Sequence, residues 1–295
     1  MRKNKEALSS IESKSCRRFQ SMNVNASYKK SPLKFFLLVF ALALPFWLLG
    51  FLVKTQGLPM NLPISAFQFV CPLIAALILV YREEKSAGVK KLLKRAFDYK
   101  RIKHKIWFVP IILLNPLIML LSYWVMLLLG RPIHNPFIPW SMIPIFFVLF
   151  FFAALCEEVG WMGYAIDPMQ ERWSALTAGS ILGLVWAAFH IIPWLSANPP
   201  LWVVGQSINT VALRILIVWL YNNNGKSILA GILFHDMLNV SEFAFPNYGS
   251  YYDPVIGEAI TVVIAVIVAF LWGAKTLARF RYAHSSEKQA YPEKR

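Results

Sequence analysis

A short set of side chains stands out because each can carry charge, move a proton or donate a hydrogen bond inside a stretch that is otherwise hydrocarbon. These are Glu157, Glu158, His190, Arg214, His235, Asp236, Asn239, Glu242 and Glu258. Ionisable groups at membrane depth are costly and mark function. A carboxylate beside an imidazole holds and deprotonates a water. A second imidazole and a carboxamide donate hydrogen bonds to a developing oxyanion. Together these make the equipment for hydrolysing an acyl bond, above all a peptide bond. His235 and Asn239 are four apart and share a helix face. Glu157 and Glu158 are adjacent and point about 100° apart on a helix, so one leads into a given cavity and the other needs a different partner. Arg214 is the arginine that falls deep in an apolar stretch, at about the depth of Glu158, and is the expected partner. The alternative is that it snorkels to the headgroups. Glu157, His190 and His235 also make a Glu/His/His set of the kind that holds Zn2+ with an open position, although the helical H-E-x-x-H signature is absent. Metal-dependent and metal-free chemistry both remain open.

The elements that must position these groups are membrane spans. The chain has 295 residues, 57% hydrophobic and 15% charged, against about 45–50% and about 25% in soluble domains. The apolar residues are gathered in runs long enough to cross a hydrocarbon core of about 30 Å. Eight spans are expected, at 33–53, 62–81, 106–129, 141–163, 175–197, 202–221, 227–246 and 255–278. The fold class is therefore all-α, a polytopic membrane helix bundle with about eight transmembrane helices. The net charge of +15 sits between and beyond these runs, so it speaks for membrane topology and not for nucleic acid. The first 32 residues, 82–105 and the chain after 273 hold 24 of the 30 Lys and Arg residues. An even number of spans places all three regions on one side, the cytoplasmic one by the positive-inside rule. Counted from that side at about 1.5 Å per residue, Glu157 and Arg214 lie about 10 Å deep, His235 about 12 Å, Asn239 about 18 Å and His190 about 20 Å. Three helices can thus bring a carboxylate, two imidazoles and a carboxamide together in one buried cavity.

Other features have plainer readings. Residues 1–32 and 281–295 are expected to be cytoplasmic tails, the first disordered, flanking a membrane domain at 33–280. Cys16, Cys71 and Cys156 show neither metal nor disulfide spacing. Trp161, Trp186 and Trp194 read as packing residues or cavity walls. Asp236 points away from the His235 face and reads as structural. Glu242 and Glu258 lie nearer the far surface, and Tyr248, Tyr251 and Tyr252 fit an interfacial belt. In GVKKLLKRAFDYKRIK (88–103), apolar and basic residues alternate as in a helix lying in the headgroup layer.

Three segments on successive core spans, EEVGWMG (157–163), FHIIPW (189–194) and HDMLN (235–239), resemble the motifs of the CAAX protease and bacteriocin-processing enzyme (CPBP) family, which includes the type II CAAX prenyl endopeptidases, also called the Abi family. The basic 88–103 stretch resembles the segment that often precedes these motifs. The resemblance covers roughly 85–245, with its motif core at 141–246. It implies an intramembrane endopeptidase in which Glu157 and His190 activate water and His235 and Asn239 form the oxyanion site. It also implies a metalloprotease label, hence Zn2+ as a possible cofactor. The implied partners are a peptide or membrane-protein substrate, CAAX-type or bacteriocin-like, and the bilayer. Two departures stand out. The family pairs its second glutamate, here Glu158, with an arginine at the position of Met162, and Trp186 stands where a phenylalanine is common. The first departure leaves a non-catalytic, peptide-binding immunity or regulatory protein as the alternative. A proton-coupled transporter fits less well, because no duplicated half is visible.

Overall fold

The computed structural model describes residues 30–52, 64–131 and 133–278. Among these the chain is helical, with no strand. Helix α1 spans Pro32–Leu52. A 3₁₀ segment, Ile64–Val70, leads into α2, Cys71–Arg95. Then follow α3 (Phe108–Leu128), α4 (Ile143–Gly160), a π-helical turn (Trp161–Ala165) and the short α5 (Ile166–Gln170). The last four are α6 (Ala175–Ala197), α7 (Pro200–Asn223), α8 (Ile228–Ala244) and α9 (Pro254–Trp272).

Local chemistry sets these boundaries. Ser174, Ser227 and Asp253 cap α6, α8 and α9 by accepting from the backbone N–H of Thr177, Ala230 and Val255, which satisfies otherwise orphaned donors. Pro200 and Pro254 open α7 and α9, where a missing N–H costs nothing.

Among the described residues, seven helical stretches are long and apolar enough to cross a bilayer. The difference from the expected eight lies in α8, which has 17 residues. It is an interior helix, and none of its residues is exposed. The second expected span is longer than its apolar run, because α2 continues past the hydrocarbon to Arg95. Lys85 interrupts it with φ 56° and ψ −156°, a conformation that a residue with a side chain adopts only under strain. The basic stretch is helical up to Arg95, and after a turn Tyr99–Arg101 forms one turn of 3₁₀ helix. The fourth span likewise continues through the π turn to Gln170. The expected tails lie outside the described residues, except for residues 30–32, of which Pro32 opens α1.

The two ends of the bundle are held differently. At the basic end, Arg95 donates to the Tyr221 hydroxyl (2.8 Å), Tyr221 to Asp167 (3.1 Å) and Lys226 to Asp167 (2.9 Å). Asn222 and Asn223 donate to the carbonyls of Thr276 and Leu277, and the Ser31 N–H meets the Tyr164 hydroxyl. The start of α1 and the end of α9 therefore share this end. At the other end, Arg131 pairs with Asp253, and Phe137 and Asn247 exchange hydrogen bonds.

Close approach brings the site-bearing helices together. Gly160 packs on the backbone of Pro72 in α2, where a Cβ would lie 2.6 Å from the Pro72 carbonyl oxygen. At Gly183 of α6 a Cβ would lie 2.8 Å from Val211 Cα in α7. Overpacking of this kind costs about 1–3 kcal/mol. Gly160→Ala should therefore lower the thermal unfolding midpoint in detergent, whereas Ala substitution of Gly130, which has open space around it, should act only through its positive φ.

Candidate active site

The two glutamates that end α4 are both buried, Glu157 at 4% exposure and Glu158 at 0%. The π turn begins at Trp161, three residues after Glu158, and such turns are frequent at functional sites. Glu157 Oε2 accepts two indole hydrogen bonds, from Trp161 Nε1 (3.1 Å) and Trp186 Nε1 (2.6 Å). Trp161 is one turn on from Glu157, and Trp186 arrives from α6. Behind Trp161 lie Phe35 of α1 and Phe189 of α6, both edge-on to its ring. One carboxylate oxygen is thus fixed by rigid donors while Oε1 is turned elsewhere.

Glu157 Oε1 faces His190 Nε2 at 3.7 Å. His190 Nδ1 lies 3.0 Å from the Trp186 carbonyl. A carbonyl only accepts, so this contact assigns the Nδ1 proton and leaves Nε2 with its lone pair in the neutral ring. Two acceptors then face each other beyond hydrogen-bond length. Such a pair cradles a donor that both can accept from. The ring is held from its other face by Trp194, stacked at 24° and 5.2 Å.

Glu158 uses both oxygens. Oε1 accepts from His235 Nδ1 (2.9 Å) and Oε2 from Arg214 Nη1 (2.6 Å). Arg214 is fully buried, which leaves no room for the snorkelling alternative. Its guanidinium lies over the Trp186 ring, 4.0 Å from the centroid, a cation–π contact strengthened by desolvation. Arg214 therefore touches both halves of the site. It pairs directly with Glu158, and it stacks on the indole that donates to Glu157. His235 gives Nδ1–H to Glu158, and its ring is edge-on to Trp186 (4.9 Å). Its Nε2 is an acceptor in the neutral ring and a donor in the charged one. Asn239 lies one turn further along the same face of α8, half-buried.

The remaining ionisable groups lie outside this set. Asp236 is fully buried, and neither carboxylate oxygen has a hydrogen-bond partner among the described residues. Glu242 is two turns beyond His235 and half-buried. Glu258 lies against Gly205 near the start of α7. Tyr252 is buried and takes a hydrogen bond from Asn209, whereas Tyr248 and Tyr251 are exposed. Met162, at the position of the implied arginine, is fully buried and lies by Gly231.

Among the described residues no three His, Cys, Asp or Glu side chains are grouped to hold a metal ion. The Glu157/His190/His235 set is not drawn together into a three-ligand site in this arrangement.

The chain's relatives point the same way as this geometry. Residues 139–241 match the family described as type II CAAX prenyl endopeptidase Rce1-like. A curated protein named CAAX prenyl protease 2, from Methanococcus maripaludis, is 28% identical over 237 residues, covering 74% of this chain and 86% of that protein. The matched segment contains Glu157, Glu158, His190, Arg214, His235 and Asn239. It also contains Trp161 and Trp186, whose indole N–H groups the sequence did not mark as partners of Glu157. Their signal was present in the spacing, because Trp161 is four after Glu157 and Trp186 four before His190. Each therefore lies on the same helix face as an expected active-site residue.

Removing one partner of a buried ion pair costs about 3–5 kcal/mol. Arg214→Met should lose most of that, read by thermal unfolding in detergent. Adding Met162→Arg should recover part of it, because position 162 lies one turn from Glu158. A loss below about 1 kcal/mol for the single change would mean that the pair does not hold Glu158 in place.

Proposed function

We propose that this multi-pass membrane protein is an intramembrane endopeptidase in which Glu157 and His190 activate water for attack on a peptide carbonyl. The observation that carries the reading is the facing pair Glu157 Oε1 and His190 Nε2, held 3.7 Å apart by indoles and a backbone carbonyl, within a domain that matches endopeptidases.

A water placed between them donates one proton to the pair and attacks the scissile carbon with its oxygen lone pair. The new C–O bond drives the carbonyl electrons onto oxygen. Asn239, and His235 when its ring carries both protons, donate to that oxyanion. Collapse breaks the C–N bond, and the proton taken from water passes to the leaving nitrogen. Glu158 and Arg214 orient His235 and do not touch the reacting atoms. The Arg214–Glu158 pair supports a working enzyme over a peptide-binding protein, since it supplies the positive charge that Met162 does not.

The proposed substrate class is the one for which the relatives are named, CAAX prenyl endopeptidase and CAAX prenyl protease. It is a peptide with a prenylated cysteine near its C-terminus, presented from the bilayer. Purified chain in nanodiscs should cleave such a peptide and leave its unprenylated counterpart largely intact. Glu157→Gln, which keeps size and removes the base, should abolish turnover while the protein stays folded. Trp186→Phe removes a hydrogen bond to a charged group, worth about 1.5–3 kcal/mol. It should lower kcat by about 10–100-fold with little change in KM. Full activity of Glu157→Gln would overturn the mechanism, and equal cleavage of both peptides would overturn the substrate class.

A further inference from the structure

The surface that the proposed reaction leaves unused is the basic helical segment after the Lys85 kink. Residues 86–95 present two faces. Gly88 and Leu92, followed by Ala96, are buried against the bundle. Lys90, Lys91 and Lys94 are exposed on the opposite side. An open groove of about 450 Å³ runs along this side, lined by Ala87, Lys90, Lys91, Lys94, Arg95 and Asp98.

The charges in this groove are not answered from within. Lys90 with Lys94, and Lys91 with Arg95, are like-charged i,i+4 pairs, which destabilise an isolated helix. The one acid in the lining, Asp98, is engaged by Ser227 Oγ (2.6 Å) and Arg101 Nε (3.2 Å). The repulsion is relieved when an anion sits among the lysines.

The groove is also held in shape. Arg95 Nη2 donates to Tyr221 Oη (2.8 Å) and to the Lys226 carbonyl (3.3 Å), and Arg101 Nη1 to the Gly225 carbonyl (2.8 Å). The Asp98 contact reaches Ser227, which caps α8. The lysines are therefore displayed on a fixed platform and not on a loose loop, which lowers the ordering cost of binding.

Beside the lysines stand large apolar side chains turned outward: Leu93 is 38% exposed, Phe97 61% and Tyr99 62%. Lysines flanked by exposed aromatic and aliphatic groups, at the end of a membrane span, match the boundary between headgroups and acyl chains. A free phosphate would use the cations and leave these groups in water. A lipid uses both.

We propose that this groove is a binding site for the headgroup of an anionic phospholipid in the leaflet at the basic end of the bundle. Lys90, Lys91 and Lys94 meet the phosphate, and Leu93, Phe97 and Tyr99 lie against the upper acyl chain.

The test uses the full chain in detergent, offered equal amounts of phosphatidylglycerol and phosphatidylcholine with matched acyl chains. Retained lipid is counted by native mass spectrometry. The wild type should retain phosphatidylglycerol in preference by about tenfold or more. Lys90→Gln/Lys91→Gln/Lys94→Gln should bring the ratio towards one with an unchanged unfolding temperature. If the triple variant does not fold, the single Lys→Gln changes should lower the preference in graded steps. An absent preference, one that survives these substitutions, or one that an excess of inorganic phosphate removes would overturn the proposal, the last by pointing to a free anion.

Discussion

Two neighbouring carboxylates in a hydrocarbon slab set the terms for everything around them. Each must be answered where water cannot do it, and they are answered by different chemistry. Glu158 receives a full positive charge and an imidazole N–H. Glu157 receives two neutral indole N–H groups, and those on one oxygen alone. The first group is thereby saturated and fixed, and the second keeps a lone-pair-bearing oxygen turned to His190. The difference in roles comes from this difference in partners, because the two side chains are chemically identical.

Arg214 lets the two arrangements coexist. It reaches Glu158 directly, and its flat face rests on the indole that serves Glu157. The resemblance to the family led to an arginine at position 162 and a phenylalanine at 186, and this chain has neither. Both departures meet at one place in space. The cation comes from α7 instead of the π turn, and the aromatic beneath it is the one that can also donate a hydrogen bond. Gly183 is what lets α7 lie close enough for this.

Much of this was legible in the residues themselves. Depth and order marked Glu157, His190, His235 and Asn239 as groups that could share a cavity, and Arg214 drew attention as an arginine deep in an apolar run. What the indoles do was not legible, because tryptophan in a membrane protein has several ordinary roles and its N–H direction is set by packing. The helical periodicity that placed the two tryptophans on the right faces was available and carried the information. The strained backbone at Lys85 and the π turn after Gly160 have no local signature, since each is imposed by tertiary packing. The span count was ambiguous at α8 for a related reason. Hydropathy detects what faces lipid, and a helix enclosed by protein is free to be short and polar.

That enclosure reaches further than the count of spans. At 17 residues, α8 extends about 25 Å, less than the roughly 30 Å of a typical hydrocarbon core. A lipid-facing helix of that length would force the bilayer to thin or would have to shift along the membrane normal. Ringed by other helices, α8 is relieved of any such matching, and His235 and Asn239 take their height from the protein alone. Thicker or thinner membranes would tilt the outer helices while the inner rod stayed in register with the glutamates, so the same chemistry could be carried between bilayers of unequal thickness.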